Sequence, residues 1–535
     1  MLKKEIMLIL QNISYTHPNK EVLFTDISLT VNNGNKIALV GHNGSGKSTL
    51  LKIIAKELFP SEGILQIETE PYYVPQIFGQ YNHLTISEAL QIDVRLTALH
   101  EILEGNVNET NLNLLNDDWT IEERCNEALK YWHLSDLKLA QKLGSLSGGE
   151  KIKVFLAGIM IHQPKLILLD EPSNHLDGEG RKLLYEFIKA SPATLLVVSH
   201  DRKLLNLLPL TCELKSNGIK LYGGNYDFYQ EQKNIKKEAL SQNIHSKEKA
   251  LQKAKEKQRE TLERQQKSDA KGKKKQEKAG VARIMMNTLK NNAENSTSKI
   301  KSVHAEKIGN ISQELRELRE EVSSLDKMKF GLSDSRLHKG KILVTAESIN
   351  YNYNEVSVWK KDLNFQIISG ERIAVKGNNG SGKTTLIKLI LEELKPKTGN
   401  LKIADSEMIY IDQDYSLINT ELTVYYQAQQ SNNSDLEEHE VKMRLNRFLF
   451  THSDWDKPCL YLSGGERMRL MLCGLTIANE TPDVIILDEP TNNLDLQNIE
   501  ILTKALNEYQ GTLIVISHDE IFLEEISVDR SINLG

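Results

Sequence analysis

Two stretches, GHNGSGKST at 41–49 and GNNGSGKTT at 377–385, share the spacing Gly-x-x-x-x-Gly-Lys-Ser/Thr. Glycines so placed let successive backbone N–H groups close around phosphate oxygens, and a helix opening at the lysine adds its positive dipole end. Gly41, Asn43, Gly44, Ser45, Gly46, Lys47, Ser48 and Thr49 form one candidate cradle. Gly377, Asn379, Gly380, Ser381, Gly382, Lys383, Thr384 and Thr385 form the other. Lys47 and Lys383 are expected to reach the β- and γ-phosphates of ATP, and the hydroxyls of Ser48 and Thr384 to ligate Mg2+. A chance glycine-rich turn is the ordinary alternative, but two matches, each following a short apolar run, disfavour it.

The next chemistry-bearing residues lie at the ends of apolar runs. LILLDEPSNHLD at 166–177 returns as VIILDEPTNNLD at 484–495. Asp170 and Asp488 can enter a magnesium shell, while Glu171 and Glu489 can orient or deprotonate an attacking water. LLVVSHD at 195–201 returns as LIVISHD at 513–519, so His200 and His518 become candidates for a γ-phosphate contact. An acid pair at a strand end is often only solvated, and a lone histidine is more often structural. Here the same order recurs twice, and Glu171 to His200 spans the same 29 residues as Glu489 to His518.

Elements must hold these groups together. KIALVG, RIAVKG, KLILLD, DVIILD, TLLVVSH and TLIVIS are short, continuously apolar runs bounded by polar turns. Such runs suit strands covered on both faces of a mostly parallel sheet. The expectation is an α/β chain with a duplicated domain, 1–222 and 343–535, and a segment at 223–342 between the copies. A length of 535 residues is too great for one core, and 39% hydrophobic with 26% charged residues is ordinary for a soluble protein. MLKKEIMLILQNIS has no small-residue cleavage site, and no apolar run approaches the roughly 20 residues that span a bilayer. Cys125, Cys212, Cys459 and Cys473 lack metal-like spacing and read as reduced thiols. The expected location is the cytoplasm, without a membrane partner.

LSGGE at 146–150 and again at 462–466, after a phosphate loop and before the LLDEP and ILDEP blocks, resembles the signature of ATP-binding-cassette ATPases. The resemblance covers both halves, about three quarters of the chain, and implies two cassette domains. It implies that Tyr15 and Tyr351, each 26 residues before its first loop glycine, stack on adenine. It makes Gln76 and Gln413 the Q-loop glutamines, with catalytic and magnesium-facing roles. It places the helices opened by Ser147, Gly148, Gly149 and Glu150, and by Ser463, Gly464, Gly465 and Glu466, against the other half's γ-phosphate. Two composite sites follow, Lys47 with Ser463 and Lys383 with Ser147, within a monomer that needs no obligate protein partner. Lys153 stands where the second signature has Arg469, a difference expected to matter little. Every other catalytic position occurs twice.

The middle segment separates the candidate functions. Residues 231–310 carry 21 Lys+Arg against 10 Asp+Glu, a net +11, so the rest of the chain is −17 against a total of −6. Ile308, Ile311, Leu315, Leu318, Val322 and Leu325 form one helical stripe suited to a partner helix at about 226–268. LYGGNYDFYQEQK at 221–233 and the two DEP-x-N-x-LD loops resemble ABC-F proteins, and a helical hairpin with its tip near 268–300 is expected. That resemblance implies a 70S ribosome partner, with the hairpin entering the exit-site region toward 23S rRNA and the P-site tRNA near the peptidyl-transferase centre. Lys271, Lys273, Lys274, Lys275, Lys278 and Arg283 become candidate RNA contacts. A solvated linker is the plain alternative for a lysine run.

Within ABC-F, 100 residues separate Lys47 from Ser147 and 80 separate Lys383 from Ser463, too small a difference for a full extra arm. The armless plan, stopping soon after SHDEIFLEEISVDRSINLG, looks like antibiotic-resistance ribosomal-protection proteins. A housekeeping translation factor and the soluble ATPase subunit of a transporter remain as alternatives.

Overall fold

The computed structural model describes residues 5–76, 78–278, 283–321, 337–353, 356–433, 435–478, 481–492 and 494–534. Side chains at 269, 272–278, 283–297, 300–301 and 320–321 lie outside the described ones. The chain divides into two units: Met1–Asp227 with Lys329–Gly535, and Phe228–Met328.

In the first half of the larger unit, β1 (Ile6–Thr16), β2 (Val22–Asn32) and β4 (Glu62–Ile67) form an antiparallel sheet in the order β2-β1-β4. The second sheet takes β3 (Lys36–Val40), β5 (Tyr72–Val74), β6 (Leu166–Asp170), β7 (Thr194–Val198), β8 (Leu210–Lys215) and β9 (Gly218–Tyr222) in the order β5-β6-β7-β3-β8-β9. It is parallel except at β9. β6 and β7 are buried at every position, which is why they carry no polar alternation. Three helices of this half bear on function: α1 (Lys47–Ile54) follows β3, α2 (Gly148–His162) precedes β6, and α3 (Gly178–Ala190) connects β6 to β7.

The second half repeats the plan. β10 (Ile342–Asn350) lies between β13 (Leu363–Ile368) and β15 (Thr398–Ile403), and β11 (Asn352–Tyr353) pairs with β12 (Val356–Ser357). β14 (Arg372–Lys376), β16 (Met408–Ile411), β17 (Val484–Asp488), β18 (Thr512–Ile516) and β19 (Arg530–Asn533) form a parallel sheet ordered β16-β17-β18-β14-β19.

This strand order sets the functional geometry. β6, β7 and β3 are neighbours, so Asp170–Glu171, His200 and the 41–48 loop meet along one carboxyl edge. β17, β18 and β14 do the same for Asp488–Glu489, His518 and the 377–384 loop. Ligands of doubly wound sheets collect at such edges. Helix α1 is fixed there because Leu50, Leu51, Ile53 and Ile54 are fully buried, each contributing about 1.5–3 kcal/mol.

The smaller unit contains most of α4 (Tyr226–Lys278) and all of α5 (Arg283–Glu321). Ion pairs join Lys247 to Glu314 and Arg319 to Glu248, the latter at 2.6 Å, so the two helices lie side by side. On α5, Leu315 is buried and Ile308, Ile311 and Leu318 are half-buried, the spacing read from the sequence; Val322 and Leu325 lie outside the described residues. The helical backbone continues to Lys278, so the lysine run extends a helix, and residues 279–282 lie outside the described ones. No helix among the described residues is long and apolar enough to cross a membrane.

Candidate active sites

Each phosphate loop uses glycine where the backbone requires it. Gly44 and Gly46 have φ of 78° and 92°, and Gly380 and Gly382 have 80° and 87°. A Cβ on Gly46 would stand 2.6 Å from Phe24 Cδ1, and one on Gly382 would stand 2.3 Å from Val358 Cγ1. These loops cannot carry side chains without opening. Lys47 Nζ donates to the carbonyls of Gly41 (2.8 Å) and His42 (3.0 Å), and Lys383 Nζ to those of Gly377 (2.7 Å) and Asn378 (3.1 Å). Burial pulls both ammonium groups below their usual pKa, opposed by the carboxylates that face them: Glu171, Asp495 and Asp170 for Lys47; Glu489, Asp488 and Asp177 for Lys383.

The acidic elements form around the loops. Ser48 Oγ donates to Asp170 Oδ1 at 3.1 Å, a hydroxyl–carboxylate pair of the kind that holds a hard, partly hydrated cation. Thr384 is exposed and Thr49 is half-buried, while Thr385 is buried with its hydroxyl 3.5 Å from that of Tyr353. Glu171 and Glu489 take φ of 51° and 47°, left-handed values that cost a glutamate roughly 1–3 kcal/mol and recur at both sites. Their backbone N–H groups are held by Val198 and Ile516 carbonyls at 2.8 Å, which fixes the kink that aims each side chain inward. Glu171 Oε1 lies 3.2 Å from His200 Nε2, and Glu489 Oε1 lies 3.4 Å from His518 Nε2.

These groups are buried with bonding capacity to spare. Glu171 Oε1, Glu489 Oε1, His200 Nδ1, His518 Nε2, Ser45 Oγ and Ser381 Oγ have no hydrogen-bond partner among the described residues. Orphaned buried polar atoms are costly, and a cluster of them around a glycine cradle fits a polyanionic ligand with its cation and water. Burial pushes Glu489 up to about 7, with Arg181 and Lys383 opposing it, and raises Glu171. Burial, then Lys383 and Arg181, takes His518 down to about 4, and burial with Lys47 lowers His200, so both rings are neutral.

The signature helices, α2 in the first half and α6 (Gly464–Ile477) in the second, open on matching capping boxes. Ser147 Oγ accepts from Glu150 N at 3.3 Å while Ser147 N donates to Glu150 Oε2 at 2.8 Å, and Ser463 with Glu466 repeats both distances. Their glycines leave the helix starts bare for an anion. Ser147, Gly148 and Gly149 line a cavity of about 210 Å³ with Asn379, Gln413, Glu489 and His518, so one half's signature and the other half's catalytic edge share a space. The reciprocal edge is tied by Asn43 N donating to Asp495 Oδ2 at 2.9 Å, and Asn379 Nδ2 reaches the His175 carbonyl at 3.3 Å.

The aromatic and glutamine positions differ between halves. Tyr15 is half-buried with its ring 6.3 Å from Phe24, and Tyr351 lies 5.0 Å from Tyr353 with Lys397 Nζ 6.0 Å from its ring. Gln413 lines the shared cavity, while Gln76 is exposed just after β5. Of the candidate RNA contacts, Lys271 is exposed; the side chains of Lys273, Lys274, Lys275, Lys278 and Arg283 lie outside the described ones.

Two further tyrosines belong to the sites. Tyr73 Oη donates to Asp170 Oδ2 at 3.2 Å, leaving Oδ1 to Ser48 of the cradle, and Tyr410 Oη donates to Asp488 Oδ2 at 2.9 Å. Each stands three residues before its glutamine, a repeat visible in YYVPQ and YIDQ.

Two phosphate cradles, each backed by a strained glutamate and a neutral histidine, with the first half's signature helix sharing a cavity with the second half's catalytic edge, define a tandem ATP-binding-cassette ATPase. A family model described as ABC transporter matches residues 24–174 and 360–492. ATP-binding protein Uup of Haemophilus influenzae is 31% identical over 532 residues, covering 92% of this chain and 73% of that protein. Ribosome protection protein VmlR of Bacillus subtilis is 29% identical over 525 residues, covering 98% and 85%. Among solved structures, a chain in the complex of archaeal ribosomal stalk protein aP1 with archaeal ribosome recycling factor aABCE1 aligns with a TM-score of 0.60 at 20% identity, covering 98% of this chain and 87% of that one. The chain belongs to the ATP-binding-cassette family and is a tandem ATPase of the ABC-F type. It binds ATP and hydrolyses it to ADP and phosphate.

Proposed function

We propose that the protein is a ribosome-associated ATPase that engages the exit-site region of the 70S ribosome in its ATP-bound form. The observation that carries this reading is the pair of side-by-side helices α4 and α5, set in sequence between the two cassettes, with 21 Lys+Arg against 10 Asp+Glu over 231–310 in an otherwise acidic chain. RNA phosphates are the natural counterpart of such a segment. The end-to-end similarity to a protein named for ribosome protection supports the same reading. The hairpin end is directed, in this proposal, at 23S rRNA and the P-site tRNA near the peptidyl-transferase centre, and its consequence is protection against antibiotics.

Ser48 with Asp170 and Thr384 with Asp488 would hold Mg2+, with Gln76 and Gln413 facing it; the ion supplies charge neutralisation at the phosphates. Lys47 and Lys383 bind the phosphates, Glu171 and Glu489 accept the proton of the attacking water, and His200 and His518 hold the γ-phosphate. Tyr15 and Tyr351 stack on adenine. The work is done in the cytoplasm by a monomer.

The test is drug tolerance. Alanine replacement across 281–288 (VARIMMNT), which lies outside the described side chains, should lower tolerance to peptidyl-transferase drugs while sparing ATPase activity. A wild-type gene that raises tolerance to no such drug refutes protection, and a housekeeping translation factor takes its place.

A further inference from the structure

The duplication is not perfect at one buried position. After the matched Asp177 and Asp495, the first half continues GEGRKLLY and the second LQNIEILT, so Arg181 is the counterpart of Ile499, and Tyr185 of Thr503. Both positions lie on equivalent helices, α3 in the first half and α7 (Leu496–Glu508) in the second. Ile499 is fully buried and offers no charge. Arg181 is 9% exposed and lines the cavity that contains Ser147, Glu489 and His518. It also lines a second cavity of about 200 Å³ that shares His518 and adds Lys182, Lys203 and Lys376.

The guanidinium is anchored rather than loose. Arg181 Nε donates to the Leu176 carbonyl at 3.3 Å, and Nη1 lies 3.5 Å from Asp201 Oδ2. Tyr185 Oη donates to that same oxygen at 2.5 Å. Asp201 follows His200, so this anchor touches the edge of one site while Arg181 shares the lining of one cavity with Glu489 and His518 of the other. An arginine held this way is a permanent, preoriented cation, and the field of a largely buried charge is screened less than that of one in solvent.

We propose that Arg181 is a trans positioning residue for the composite site built from Lys383, Glu489, His518 and Ser147, and that the two ATP sites are therefore inequivalent. Its charge holds the Glu489 carboxylate and the His518 ring in register with the signature helix of its own half. The site built from Lys47, Glu171, His200 and Ser463 has an isoleucine at that place and runs without such help. The inference rests on the ATPase activity alone and is independent of the ribosomal partner.

Steady-state ATPase kinetics of the full chain test it. In the Glu171→Gln background, where turnover comes from the Lys383 site, Arg181→Met should lower kcat by at least about tenfold with KM changed less than kcat, Arg181→Lys should recover part of the loss, and Ile499→Met should leave kcat within about twofold. Combined with Glu171→Gln, which leaves the Lys383 site intact, Arg181→Met should cost at least about tenfold more than when combined with Glu489→Gln. Thermal melts of each variant accompany the assay. An unchanged kcat on adding Arg181→Met to Glu171→Gln overturns the proposal. So does an equal loss in the two glutamine backgrounds, or a loss that tracks a fall in melting temperature and is not recovered by lysine. If Arg181→Met fails to fold, Arg181→Gln is read by the same criteria.

Discussion

Replacing Glu489 with glutamine should stabilise the nucleotide-free protein, and the gain should depend on pH. In the folded chain, burial lifts the Glu489 carboxyl from an ordinary 4.5 to about 7. Between those values the folded protein keeps a proton that the unfolded chain releases. Stability from this group is therefore fully present below pH 4.5 and is lost as the pH rises through 7. A shift of that size corresponds to about 3 kcal/mol. The glutamine of the Glu489→Gln variant is neutral at every pH, so the stability difference between variant and wild type should grow by about 3 kcal/mol from about pH 4.5 to about pH 8. His518, whose ring is held down to about 4, acts with the opposite sign at acid pH but is common to both chains. The assay is thermal or urea unfolding in chelator without nucleotide, with the variant's advantage measured at about pH 5 and about pH 8. An advantage that is the same at both values refutes the claim that Glu489 is held protonated by burial.

Tyr410→Phe removes the hydroxyl that fixes Asp488 and should cost about 0.5–1.5 kcal/mol of MgATP affinity, read by titration with a fluorescent ATP analogue. The corresponding Tyr73→Phe should act through Asp170 at the other site. Neutralising Lys271, Lys273, Lys274 and Lys275 should flatten the dependence of log ribosome affinity on log salt by up to about 0.7–0.9 for each phosphate these lysines neutralise. An unaltered slope would show the run to be a solvated linker.

The duplicated motifs made much of the fold legible in the sequence, because a continuously buried strand and a phosphate loop leave local signatures. β6, β7, β17 and β18 lie where the apolar runs stand, and the stripe from Ile308 to Leu318 lies on α5 as its spacing implied. What was not legible depends on chain segments far apart in sequence. The left-handed backbone of Glu171 and Glu489 comes from β-sheet neighbours that capture their N–H groups. The bond from Asn43 to Asp495 joins residues 452 positions apart. Arg181 escaped because the matched blocks end at Asp177, just before the two halves diverge. The difference between Lys153 and Arg469 also has a local counterpart: Arg469 Nη1 lies 3.5 Å from Asn498 Oδ1, whereas Lys153 packs where a Cβ on Gly180 would stand 3.1 Å from its Cε.

The central claim is that ATP holds this protein on ribosomes until a carboxylate-dependent step releases it. The most direct measurement is sedimentation of the Glu171→Gln, Glu489→Gln chain with 70S ribosomes through sucrose, with ATP, with ADP and without nucleotide. Both cradles remain and both bases are gone, so the account predicts ATPase activity reduced by at least about a hundredfold, retained ATP binding, and co-sedimentation that requires ATP. Undiminished hydrolysis, or ribosome binding that is the same with ATP, with ADP and without either, would contradict it.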